Sequence, residues 1–200
     1  QSMAASHDYA FSFLQEIPLG DYHRLEGYLF PDTYEFYMGE DPKMVINKML
    51  VNFDRRFTDE MRAQVQEKGY TVRDMVIMAS MIERETDGND RATISSVIYN
   101  RLNNPNAGTQ GYLQIDATLV YALGRTITSE DYTADTPYNT YTNKGLPPGP
   151  ISNPGLAAIR AAMEPENTGY YYYALGSDGT HSFFQSLEAQ QNFIAQQRGN

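Results

Sequence analysis

The chain contains no cysteine and no tryptophan. Lack of cysteine removes disulfide frameworks, thiolate metal sites and cysteine nucleophiles together. It is compatible with an extracytoplasmic address without establishing one. Histidine is scarce: His7, His23 and His181 stand apart without ligand spacing, which argues against a zinc site. Positive charge is also short, with 15 Lys and Arg against 25 Asp and Glu and a formal net charge of −10. Phosphate binding needs the opposite balance, so nucleic acid is a poor partner. A mostly neutral glycan or a partner protein suits an acidic domain better. No apolar run approaches the roughly 20 residues that span a bilayer. No signal peptide is visible, and Gln1-Ser2-Met3 reads as an expression scar on a cut-out domain. The missing anchor therefore says little about the native protein. Neither a Gly-x-Ser-x-Gly elbow nor a phosphate-cradling glycine loop occurs. What remains is carboxylate acid/base chemistry or no catalysis.

What is present is a globular balance. The chain has 200 residues, 41% hydrophobic and 20% charged, enough for one domain, or one with a small appendage, and a sizeable core. Tyrosine is abundant, 16 residues beside 9 Phe. A flat apolar face with a polar tip suits sugar rings, but tyrosine is equally enriched in surface β-structure.

Along the chain, Leu25 to Tyr37 reads as strand and turn. Asp41-Pro42 supplies an N-cap and a first-turn proline. Val45, Ile46, Met49, Leu50 and Phe53 then share one helical face. A second helix is expected from Thr58 to a stop at Gly69. Thr71-Val72-Arg73-Asp74 has capping-box spacing and opens the most informative element. Met75 to Ile82 follows, apolar on every side, so this helix is predicted to be buried all round. Further helices are expected from Asp90 to Leu102, from Asp116 (as N-cap) to Leu123, from Pro154 to before Pro165, and after Ser186. Thr136 to Pro154 is a proline- and glycine-punctuated loop, read as a rigid wall. Tyr170–Leu175 and His181–Gln185 form a predicted hairpin. Alternation in the run Tyr170 to Tyr173 places one pair in the core and leaves the other for a sugar platform.

Glu83 closes the apolar helix. A carboxyl in apolar surroundings is disfavoured in its charged form, and a raised pKa suits a general acid. The local pattern also allows a charge simply emerging into solvent at a helix end. Glu85 lies about 200° round the helix from Glu83, so the two cannot share one face. Its expected partner is an arginine such as Arg84, Arg91 or Arg101, or solvent. Thr86 falls on the face of Glu83 and is placed to orient it.

Several segments, in order, carry a resemblance. They are Glu26-Gly27-Tyr28-Leu29-Phe30-Pro31-Asp32-Thr33-Tyr34, Ala79-Ser80-Met81-Ile82-Glu83-Arg84-Glu85-Thr86, Val97-Ile98-Tyr99-Asn100-Arg101-Leu102 and Leu113-Gln114-Ile115-Asp116-Ala117-Thr118. Tyr138-Asn139-Thr140-Tyr141, Gly145 to Ile151, Asn153-Pro154-Gly155 and His181-Ser182-Phe183 complete the set. Together they resemble the endolytic murein transglycosylases of the MltG, or YceG-like, type. The family's catalytic glutamate falls on Glu83. Ile115 stands where many members have Ser or Thr.

The resemblance implies an enzyme that cuts the MurNAc–GlcNAc β-1,4 bond of peptidoglycan strands without water, leaving 1,6-anhydroMurNAc ends. It implies no cofactor and no metal. Gln114, Asn139, Tyr141, Thr86 and His181 are the expected substrate contacts; for Gln114 and Asn139 the alternative is pinning loop backbone. Asp116 is read as an N-cap before a second carboxylate, and Asp32 as a turn residue. Residues 1–24 are taken as the tail of a LysM-like region or linker, and 25–200 as the catalytic domain. The implied setting is the outer face of the bacterial cell membrane, with an anchor absent here. Penicillin-binding proteins and other cell-wall synthesis proteins are candidate partners. The rival readings are a non-catalytic glycan-binding scaffold, a water-using muramidase and a protein-interaction domain. The expected fold is α+β, helices packed around a small, mostly antiparallel sheet, with Glu83 at the end of a buried helix facing a cleft.

Overall fold

The computed structural model describes residues 7–86 and 88–199. Its described residues form seven α-helices and one two-stranded antiparallel sheet, an α+β fold as expected. Among them no helix is long and apolar enough to cross a membrane. The chain divides into two compact units, the first made by residues up to Arg84 together with Gly149–Met163, the second by Glu85–Pro148 and the chain from Glu164 on.

The first unit carries α1 (Pro42–Arg56), α2 (Asp59–Glu67), α3 (Val72–Glu85, all but its last residue) and α6 (Leu156–Met163). The local signals explain these helices. Asp41 caps α1 by accepting from the Lys43 N–H at 2.9 Å, and Pro42 needs no donor there. Thr58 caps α2. Thr71 and Asp74 form a reciprocal box before α3: the Thr71 N–H donates to Asp74 Oδ2 at 2.8 Å, and the Asp74 N–H to Thr71 Oγ1 at 3.0 Å. All eight residues from Met75 to Ile82 are buried. The core around them is aromatic: Phe13, Tyr28 and Phe53 meet with ring centroids 4.8–5.2 Å apart. Each such ring contributes about 1.5–3 kcal/mol by leaving water. Tyr9, Leu14 and Ile17 are buried in the same unit.

Leu25 to Tyr37 was expected to be strand and turn; the turn is found at Leu25 to Tyr28, and the rest is irregular, with no strand. Asp32 ties this segment to α1, accepting from Asn52 Nδ2 at 3.0 Å and Arg56 Nη2 at 2.9 Å. Held to the helix by this carboxylate, the segment follows α1 instead of pairing as a strand.

The second unit carries α4 (Arg91–Asn103), α5 (Asp116–Leu123), β1 (Tyr172–Leu175), β2 (His181–Phe184) and α7 (Leu187–Gly199). β1 and β2 pair antiparallel, Tyr172 opposite Phe184 and Leu175 opposite His181. Phe184 packs on Phe193 of α7 at 5.3 Å. Arg101, 4% exposed, donates to the backbone carbonyls of Tyr171 and Leu113. A buried guanidinium satisfied by carbonyls pins the hairpin's start to the segment before α5.

Candidate active site

α3 presents Glu83 in its last turn, half-buried after the fully buried stretch. The segment Ile151 to Gly155 runs alongside it. The Ile151 N–H donates to Ser80 Oγ at 3.0 Å, and Ser152 Oγ donates to the Ser80 carbonyl at 3.0 Å. Three residues after Ser152, the Gly155 N–H donates to Glu83 Oε2 at 3.1 Å. Among the described residues Glu83 forms no ion pair. Asn153 Oδ1 accepts from the Gly27 N–H at 2.9 Å and the Leu29 N–H at 3.2 Å. The Glu26–Tyr34 and Asn153–Gly155 motifs are thus one construction that fixes a single carboxylate oxygen. Gly27 has φ +86°, and a Cβ there would lie 2.5 Å from Val76 Cγ1 and 2.6 Å from Pro150 Cγ. Only glycine fits that close approach.

The remaining expected residues lie in the second unit. Thr86 was expected on the helical face of Glu83, but α3 stops at Glu85. The Thr86 hydroxyl instead donates to Asp90 Oδ1 at 2.5 Å and accepts from the Gly88 N–H at 2.9 Å. His181 Nδ1 lies 2.7 Å from Asp90 Oδ2, and the histidine side chain is 10% exposed. Burial pushes the Asp90 carboxyl up, but the bonds from Thr86 and His181 outweigh it and hold the carboxyl below its ordinary value.

Among the described residues Glu85 forms no ion pair with an arginine, and it is half-buried rather than exposed. The Tyr173 hydroxyl donates to its Oε2 at 2.7 Å. Burial raises the Glu85 carboxyl above its ordinary value, the Tyr173 bond opposes this, and the Asp116 charge adds to it. Tyr173 is itself pushed well up, by burial first and then by Glu85. No local pattern could have revealed this pair, because the two residues are 88 positions apart.

Asp116 does not cap α5; the helix begins at Asp116 and Ile115 occupies the capping position. The Asp116 carboxylate instead accepts from Tyr141 at 2.5 Å and from Tyr132 at 3.4 Å. Asn139, expected either to meet sugar or to pin loop backbone, is fully buried and does the second. Its amide donates to the carbonyls of Tyr132 and Ala134 at 3.1 and 2.9 Å, and its oxygen accepts from the Tyr141 N–H at 3.0 Å. With both amide hydrogens committed, Asn139 has no donor left for a ligand. Gln114 is half-buried with φ +51°, a left-handed conformation rare outside glycine and asparagine. Its N–H donates to the Thr140 carbonyl at 3.1 Å.

A profile of the YceG-like family matches residues 2–196. The chain belongs to the YceG-like family. Within it, the chain is 37% identical over 170 residues to an endolytic murein transglycosylase of Bacillus subtilis, covering 83% of this chain and 46% of that protein. It is 32% identical over 198 residues to one of Streptococcus pneumoniae, covering 92% of this chain and 35% of that protein. A solved structure of a YceG-like protein from Listeria monocytogenes superposes with a TM-score of 0.78 at 38% identity, over 86% of this chain and 56% of that one. The YceG-like chain thus spans less than half the length of the curated relatives it matches.

Proposed function

We propose that this chain is the catalytic part of an endolytic peptidoglycan transglycosylase acting outside the cytoplasmic membrane, with Glu83 as its acid and base. Membership of the YceG-like family supports the reaction class. The observation that carries the role of Glu83 is that its one polar partner among the described residues is the Gly155 N–H on Oε2. A structural glutamate at a helix end is ordinarily paired with a cation or fully exposed. Glu83 is neither. One oxygen is held by a donor that cannot accept a proton, which leaves Oε1 to carry the proton.

Neutral Glu83 gives its proton from Oε1 to the glycosidic oxygen as the C1–O bond breaks. The muramic 6-hydroxyl attacks C1 of its own ring, and its proton passes to the Glu83 carboxylate. The C1–O6 bond closes the 1,6-anhydro ring, water is not consumed, and Glu83 ends as it began. Intramolecular attack supplies the nucleophile at high effective concentration, so one carboxylate does the work for which hydrolases use two. Gln114 and Tyr141 serve as sugar contacts. Thr86 and His181 enter through Asp90, and Asn139 as the prop of Tyr141. The reactive domain extends over residues 25–200, and Phe13, ahead of it, packs on Tyr28 and Phe53.

The test is mass spectrometry of products from purified glycan strands with wild type and Glu83→Gln. Anhydro-muramic ends from wild type, lost in the variant, are expected. Reducing ends from wild type would move the protein to the water-using muramidases. Unchanged turnover in Glu83→Gln would remove Glu83 from the chemistry.

A further inference from the structure

Asp116 is exposed and has no ion-pair partner among the described residues. Such a side chain is ordinarily mobile. Here two phenols grip it, Tyr141 on Oδ1 and Tyr132 on Oδ2. The two rings meet edge to face with centroids 4.7 Å apart. Asn139 explains why both arrive there: its amide bonds the carbonyl of Tyr132 and the N–H of Tyr141, fixing the two tyrosine-bearing segments to each other. Thr140 fixes the same loop to the start of α5, its Oγ1 accepting from the Ile115 N–H at 2.9 Å. A buried scaffold of backbone bonds therefore holds an exposed carboxylate in one place.

The acceptor inventory gives that carboxylate a use. A carboxylate offers about four lone-pair directions. The two phenols occupy two, one of them by a long contact, and the exposed side of Asp116 keeps the others. Burial, and then the bond to Asp116, hold the Tyr141 hydroxyl above its ordinary range, so the phenol keeps the proton it donates to Asp116 Oδ1. Gln114 lies two residues before Asp116, its backbone held left-handed by Thr140. Its side-chain amide is committed to no described residue. The patch thus offers strong acceptors, one adaptable amide and the edges of two aromatic rings. The nearby Arg101 is buried and committed to the carbonyls of Tyr171 and Leu113, so among the described residues the patch presents no free positive charge to a phosphate or carboxylate ligand.

We propose that Asp116, held by Tyr132 and Tyr141, is the hydrogen-bond acceptor that positions an N-acetylated sugar ring of the substrate through its hydroxyl or acetamido N–H donors. The assignment rests on the reading that this chain acts on glycan. Asp116 acts as a positioning residue, and the rings of Tyr132 and Tyr141 give the sugar an apolar surface to lie against.

The experiment separates binding from chemistry. Calorimetry measures the affinity of Glu83→Gln for the β-1,4-linked hexamer of N-acetylglucosamine, alone and with Asp116→Asn or Tyr141→Phe added. A charged hydrogen bond lost from the site weakens binding by about tenfold or more, and Tyr141→Phe, which releases the carboxylate, weakens it in the same direction. In the otherwise wild-type protein, Asp116→Asn raises KM for glycan strands by a similar factor and lowers kcat less. Thermal melts confirm that the exposed substitution leaves the fold intact. Equal hexamer affinity with and without Asp116→Asn overturns the assignment, even where wild type yields anhydro products. Hexamer binding that drops with Asp116→Asn, in a protein that makes no products, keeps the sugar site and removes the proposed reaction. Failure of Glu83→Gln to bind the hexamer at all overturns the sugar site.

Discussion

The backbone N–H of Gly155 points at Oε2 of Glu83 from 3.1 Å, and its approach is set two residues earlier by Asn153. The Asn153 side chain takes the N–H groups of Gly27 and Leu29 on one oxygen. Placement of the proposed acid thus depends on a residue 70 positions away that never touches it.

Asn153→Ala removes both acceptor bonds at once. Because the side chain is exposed, water replaces part of what is lost, and the cost is about 1–2 kcal/mol. Urea unfolding should show a lower midpoint with an unchanged slope. A midpoint equal to wild type would mean that the Gly27–Leu29 turn holds without Asn153.

Gly27 and Gly39 separate strain from crowding. Both have positive φ, +86° and +81°, but a Cβ at Gly39 meets nothing within 4 Å, whereas one at Gly27 meets Val76 and Pro150. Gly39→Ala costs about 1–2 kcal/mol of backbone strain alone. Gly27→Ala adds overpacking of about 1–3 kcal/mol. Thermal melts of the two variants check this. Equal losses would show that Val76 and Pro150 yield without cost.

Local signals were legible wherever a helix start or buried face decides the structure. The Asp41 cap, the Thr71–Asp74 box and the apolar run to Ile82 all depend on residues within a turn of one another, and each is found. The hairpin is found on the same grounds. Asp116 misled because an acidic residue before Ala-Thr has the composition of a cap, whereas the phenols that claim its carboxylate come from 16 and 25 residues away. Glu85 was opaque for the same reason, its partner being set by the folding of a hairpin, and Asn139 was legible only as one of two choices, sugar contact or loop prop, of which the second is found. Motif order identified the family where periodicity could not.

Asn139→Ala tests the prop. The substitution leaves the Tyr132 carbonyl and the Tyr141 N–H of a half-buried loop without this partner, while the Ala134 carbonyl keeps the Thr136 N–H, and costs about 1–3 kcal/mol. The loss should be accompanied by a change in near-ultraviolet tyrosine circular dichroism, because Tyr132 and Tyr141 lose their mutual register. Wild-type stability in Asn139→Ala would show that Thr140 alone holds the loop.

Glu85 gives the molecule an alkaline-side weakness. Its ordinary value is 4.5, and burial raises it in the folded chain against the opposing bond from Tyr173. Below 4.5 both folded and unfolded chains hold the proton, and Glu85 costs nothing. As pH rises past 4.5 the unfolded chain releases its proton while the folded chain keeps it, so stability falls until pH passes the folded value. The slope from this group reaches at most about 1.4 kcal/mol per pH unit. Asp131 works in the opposite sense, held below its ordinary value by Arg125, so its contribution is lost only as pH falls below 3.8. Glu85→Gln keeps an acceptor for Tyr173 but cannot ionise. Asp116, His181 and Arg101, the charged and titratable groups that face Glu85, are unchanged in both proteins. Urea unfolding of both across pH 4 to 8 should therefore show wild type losing stability relative to Glu85→Gln as pH rises from about 4.5. A difference that stays constant over that range would mean that the Glu85–Tyr173 pair tolerates the charge, and that burial does not govern this carboxyl.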